Sequence, residues 1–66
     1  MQNNIPMYLN EVQVSEITGF ALSTLRNQRF ERKGIPYSKI GRSVRYDLND
    51  VIVHMQNHKI NFQDQV

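Results

Sequence analysis

The chain has 66 residues, 39% of them apolar, which allows one small domain with a thin core. It contains no cysteine, so a disulfide framework and a thiolate zinc site are excluded. No apolar run approaches the roughly 20 residues of a membrane helix, and the N-terminus lacks the basic-then-apolar order of a secretion signal. A soluble cytoplasmic protein is expected. A chain this small rarely encloses a deep catalytic pocket, which puts binding ahead of catalysis.

The net charge of +2 hides an uneven distribution. Between Leu22 and Tyr46 lie Arg26, Arg29, Arg32, Lys33, Lys39, Arg42 and Arg45, with Glu31 as the one acid, so that segment carries +6. The remainder carries −4. A basic middle between acidic flanks suits one face built for a polyanion. The bland alternative is a solvated basic surface.

In chain order, Met1 to Met7 reads as a loose lead-in. Asn10 predicts a helix start, because its side-chain oxygen can accept the amide of Gln13 and Gln13 can reach back to the amide of Asn10. Leu9 and Val14 are spaced for a hydrophobic staple across that cap. Val14 and Ile17 face inward, and Gly19 ends the helix, giving Glu11 to Thr18. Val12 lies off this stripe.

Phe20-Ala21 links to a second helix, Leu22 to about Arg32, with Leu25 on its buried side. The short linker begins with glycine, as a helix-turn-helix requires. Ala21 is a poor cap, so Ser23 or a neighbouring carboxylate is expected to serve. Lys33-Gly34 closes the helix and Ile35-Pro36 prevents its continuation.

Tyr37 to Ile40 and Ser43 to Tyr46 flank Gly41-Arg42, a pattern for a hairpin with a type II′ turn. Alternation puts Ile40, Val44 and Tyr46 near the core and Lys39, Arg42 and Arg45 outside. Asp47 then caps a third helix in which Leu48, Val51, Ile52 and Met55 form one stripe. From Lys59 onward the chain reads as a frayed tail. The order helix, turn, helix, hairpin, helix is a winged helix-turn-helix layout: mainly α with a small β-hairpin, one domain with its core at about residues 8–58.

Tyr8-Leu9-Asn10-Glu11-Val12 through Gly19, Ser23-Thr24-Leu25-Arg26, Gly34-Ile35-Pro36-Tyr37, Lys39 through Tyr46 and Asp50-Val51 resemble the excisionase-type helix-turn-helix family. That group includes phage and prophage regulators of the AlpA type and is similar to the DNA-binding domain of MerR regulators. The resemblance covers about Tyr8 to His58. It implies binding of double-stranded DNA, with the second helix in the major groove and the hairpin wing at an adjacent minor groove or its phosphates. Gln28 stands where many relatives carry an aromatic residue, and Phe30 is the expected substitute in the core.

The second helix offers Ser23, Thr24, Arg26, Asn27 and Arg29 to DNA, with Arg26 and Asn27 the first choices for reading bases; Gln28 is a further polar group there. For Arg29 and Arg32 the alternative is solvation or pairing with Glu31. On the wing, Lys39, Arg42, Ser43 and Arg45 are expected to meet DNA, Arg42 at the tip being best placed for a narrow minor groove. The resemblance implies an excisionase that bends attachment-site DNA and biases a separate recombinase, or an integrase partner, toward excision. A prophage transcription regulator and a protein-interaction module on the same scaffold are the alternatives. No enzyme activity, cofactor, metal or membrane association is expected. The expected setting is the bacterial nucleoid, with a monomer that binds repeated sites side by side and self-associates on DNA.

Other residues carry ordinary readings beside sharper ones. His54 and His58, spaced i, i+4, could clamp a metal but suit an exposed helix end, where imidazolium favours the dipole. Asp47 and Asp50 are helix-start residues before they are a catalytic pair. Tyr8, Tyr37 and Tyr46 could stack on single-stranded bases, but the favoured reading is half-buried rings with hydroxyls in water, most strongly for Tyr46.

Overall fold

Two residues, Tyr8 and Leu9, form a strand, β1, ahead of the first helix. Asn10 then turns the chain. In the computed structural model, which describes residues 7–60, Asn10 Oδ1 accepts from the Gln13 amide at 2.8 Å and Gln13 Oε1 accepts from the Asn10 amide at 2.9 Å. This reciprocal box starts α1 (Glu11–Thr18). Gly19, at φ 80°, ends it in the left-handed conformation that glycine adopts cheaply.

Side chains lock the next turn. Ser15 Oγ donates to the Phe20 carbonyl at 2.6 Å, and Thr18 Oγ1 donates to the Val14 carbonyl at 2.8 Å while accepting from the Phe20 amide at 3.2 Å. Phe20 packs against the core. Helix α2 (Leu22–Phe30) follows with Ala21 as its cap residue, and no side chain supplies the cap bond. The expected stand-in from Ser23 or a carboxylate is not made.

Helix α2 stops at Phe30, short of the expected Arg32. Arg32 itself adopts φ 58°, its amide donates to the Arg29 carbonyl at 3.0 Å, and the Lys33 amide donates to the Gln28 carbonyl at 2.9 Å. This pair of bonds is a Schellman closure with arginine in the position glycine usually fills. Gln28 packs over Gly34, and Phe30 is 89% exposed, so Phe30 does not supply the expected core contact.

Strands β2 (Ser38–Ile40) and β3 (Ser43–Asp47) form the antiparallel hairpin around Gly41-Arg42. Gly41 has φ 60° and Arg42 does not share the positive φ, as a type II′ turn requires. Strand β3 also pairs with β1, through Tyr8 with Asp47 and Leu9 with Tyr46, so the sheet has three strands in the order β1-β3-β2. The sequence pattern predicts the β2–β3 hairpin alone, and β1 is added to it along β3.

Register also corrects one face. Lys39 pairs with Val44 and Ile40 with Ser43. Directly paired residues share a face, so Lys39 stands on the Val44 and Tyr46 side. Ile40 stands with Ser43 and Arg45 and is 76% exposed rather than near the core.

Asp47 closes β3 and caps α3 (Leu48–Asn57), its Oδ1 accepting from the Asn49 amide at 2.9 Å. Leu9, Val14, Leu25, Ile35, Tyr46 and Val51 are buried together, with Phe20, Val44 and Leu48 packed against them. The apolar stripes are narrower than expected: Ile17, Ile52 and Met55 are exposed. Each helix contributes one fully buried side chain to this core: Val14, Leu25 and Val51. The result is a small α+β domain of three helices and a three-stranded antiparallel sheet. The tail beyond Ile60, and most of the lead-in, lie outside the described residues. Among the described residues no helix is long and apolar enough to cross a membrane.

Candidate nucleic-acid interface

With Leu25 buried, α2 turns Ser23, Thr24, Arg26, Asn27 and Phe30 outward. Ser23, Arg26, Asn27 and Phe30 follow i, i+3, i+4, i+7, which is one stripe along the helix. Beside α2 opens a cleft of about 320 Å³. Arg26 and Arg29 line it from α2, Arg42, Ser43 and Arg45 from the hairpin, and Glu11 from the first turn of α1. Four arginines and one carboxylate therefore line the same cleft.

That carboxylate organises two of them. Arg26 Nε donates to Glu11 Oε1 and Oε2 at 3.3 and 3.2 Å, and Arg26 Nη2 closes on Oε2. Arg29 Nη2 donates to Glu11 Oε1 at 3.0 Å. Hydrogen bonds from Arg26 hold the Glu11 carboxyl below its ordinary range; burial opposes this and Arg29 adds to it. The same pairing raises Arg26 further.

Arg29 is anchored on further sides. Its Nη1 donates to the Tyr46 hydroxyl at 2.7 Å, and its guanidinium carbon lies 5.8 Å from the centre of the Tyr37 ring. Burial pushes the Arg29 pKa down, but bonds to Tyr46 and Glu11 outweigh it, and the net shift is upward. The Arg29 side chain is 17% exposed and that of Arg26 is 56% exposed. Arg29 thus ties α2 to β3, while Arg26 keeps donors at the surface. Glu31, the pairing alternative for Arg29 and Arg32, instead meets Lys33 at 3.1 Å. The Tyr46 hydroxyl, foreseen in water, accepts from Arg29 in an almost fully buried residue.

The hairpin cations differ among themselves. Arg45 Nη1 donates to the Val44 carbonyl at 2.8 Å, which folds it along its own strand. Arg42, at the turn, is exposed and makes no ion pair among the described residues. Lys39 is exposed and does not line the cleft. Arg32 and Lys33 line a separate cleft of about 550 Å³ with Pro36 and Tyr37. The basic stretch is therefore divided: four of its arginines share one cleft, and two of its cations border another.

Sequence reasoning missed Glu11 and the hydroxyl of Tyr46. Glu11 lies 15 and 18 positions from its two arginines, beyond any local pattern. At the end of α3, His54 and the cap residue His58 have ring centres 4.3 Å apart, and His58 Nδ1 sits 2.8 Å from the His54 carbonyl. Burial, and then His58, lower the His54 pKa. No group of three metal-binding side chains gathers among the described residues. Comparison with known protein families, characterised proteins and solved structures finds no match for the chain.

Proposed function

We propose that the chain is a winged helix-turn-helix protein that binds double-stranded DNA in a sequence-specific way. In this reading α1, its turn and α2 are the helix-turn-helix, α2 enters the major groove, and the β2–β3 hairpin is the wing. The observation that carries it is the cleft lined by Arg26 and Arg29 of α2, Arg42 and Arg45 of the hairpin, and the Glu11 carboxylate. Two elements that offer cations to one gap can hold a phosphate backbone between them. Ser23, Thr24, Arg26 and Asn27 supply the base-reading face, and Arg42, Ser43 and Arg45 the wing contacts at the cleft, with Lys39 on the other face of the hairpin. Arg29 acts chiefly through the position it gives α2.

By its sequence resemblance the protein serves as an excisionase of a phage or other mobile element. It bends attachment-site DNA, assists a separate recombinase, self-associates on adjacent sites, and performs no chemistry itself. Regulation of a prophage promoter uses the same surface. The test is binding to a mixed-sequence duplex across a salt series, for the wild type and Arg42→Ala. Each phosphate contact contributes about 0.9 units to the salt slope. Arg42→Ala is expected to flatten the slope by about one unit without altering the selected motif. Unchanged affinity and slope would remove Arg42 from the interface, and no duplex binding by the wild type would end the DNA reading. Footprints at recombination ends assign the excisionase role; footprints confined to a promoter assign the regulator.

A further inference from the structure

The Glu11 carboxylate occupies one edge of the Arg26 guanidinium, the edge formed by Nε and Nη2. An arginine has five donors in a planar fork. With that edge taken, the free pair is the end fork, Nη1–H beside the outer Nη2–H. The side chain is 56% exposed and lines the cleft, so the end fork is open to a ligand. Glu11 is itself fixed, because it stands in the first turn of a boxed helix and also holds Arg29, which is tied to Tyr46. A long flexible side chain on an exposed helix face is thus held in one orientation before any ligand arrives.

We infer that Glu11 is a positioning and specificity-determining residue that presents the end fork of Arg26 to guanine. This inference rests on the duplex-DNA reading above. The O6 and N7 atoms of guanine in the major groove accept two parallel bonds from such a fork. A guanidinium already held by Glu11 loses less freedom when it makes them. The carboxylate also repels phosphate, so it favours the partner that satisfies both fork donors over diffuse attraction to the backbone. The target class is therefore a duplex with a guanine at the position facing Arg26.

The experiment is motif selection from randomised duplexes with the wild type, Glu11→Gln, Arg26→Ala and Gln13→Ala. Folding of each variant is checked by circular dichroism, and the Arg26 Nε–H signal of the free proteins is followed by NMR. Gln13→Ala weakens the same helix start without touching the carboxylate, so it controls for lost stability. The wild type is expected to prefer guanine at one position by roughly 5- to 140-fold, the range of one bidentate pair. Glu11→Gln and Arg26→Ala should reduce that preference to about 2-fold or less, while Gln13→Ala retains it. Glu11→Gln should also bind mixed-sequence duplex as well as the wild type or better, since a repelling charge is gone, and its Arg26 Nε–H should exchange faster with water. An unchanged motif with Glu11→Gln overturns the inference, as does uniform tightening with the motif intact, which would make Glu11 only a brake. Failure of the wild type to select any motif defeats the DNA reading itself, and guanine reading with it. In that case an Nε–H signal protected in the wild type and lost in Glu11→Gln still establishes the positioning of Arg26, and an unprotected one refutes it.

Discussion

Tyr46→Phe isolates one hydrogen bond in the centre of the fold. Tyr46 is 1% exposed, and its ring stays beside Tyr37, 6.2 Å between centroids, when the oxygen is removed. The loss is the acceptor for Arg29 Nη1 at 2.7 Å. Hydrogen bonds to a charged group contribute about 1.5–3 kcal/mol. Arg29 keeps Glu11 and is 17% exposed, so water reaches part of the vacated site and the net cost falls to about 1–2 kcal/mol. In a domain of this size each kcal/mol moves the melting temperature by about 4–8 °C. Thermal and urea unfolding should therefore show a drop of roughly 5–15 °C with an unchanged urea slope. A double-mutant cycle with Arg29→Met should return a coupling of about 1 kcal/mol or more. A coupling below about 0.5 kcal/mol, or a melting temperature equal to the wild type, would show that this link does not hold α2 to the sheet.

Arg32→Gly should stabilise the domain by about 0.5–1 kcal/mol, because the residue at φ 58° closes α2 where a side chain is strained; a lower urea midpoint would contradict this. Acid should weaken the fold in two stages. The His54 pKa is lowered in the folded state, so unfolding takes up a proton there, and stability is complete only above the unfolded histidine value and falls as pH drops through it. Glu11 is also lowered, so its share persists above the ordinary carboxylate range and is lost below it. Urea midpoints across pH should show both stages, and His54→Gln should remove only the upper one.

What the sequence discloses here is what a few neighbouring residues decide. Asn10 with Gln13, Asp47 as a helix cap, and Gly41 at a two-residue turn each need only the local backbone, and each stands where the sequence puts it. Helix boundaries fail where a residue breaks its own preference, as Arg32 does by taking a glycine conformation. Strand β1 is two residues long, too short for alternation to appear, and it exists because β3 offers it an edge. Ile17 and Ile40 were placed inside by period alone, but which side of a helix or hairpin is covered depends on what packs there, and nothing packs on theirs. For the candidate site, the arginines were legible by composition. The division of Arg29 as held, Arg26 as oriented and Arg42 as free was not, because the deciding carboxylate comes from another helix.

If α2 and the hairpin bind DNA as proposed, recognition and stability share residues in this domain. Tyr46 belongs to β3, the strand that carries the hairpin, and Arg29 belongs to α2. Their bond sets the angle between α2 and the hairpin through a polar link, in a molecule whose apolar core is only six buried side chains. On the proposed reading a duplex engages α2 and the hairpin together and accepts a narrow range of that angle. Loosening the link then weakens binding without deleting any contact, so loss of affinity in Tyr46 or Arg29 variants is no evidence that either touches DNA. Arg42 is different: it stands at the turn, exposed and without an ion pair among the described residues, so its removal subtracts charge and leaves the frame intact. Affinity lost there, with the melting temperature held, reports the interface itself.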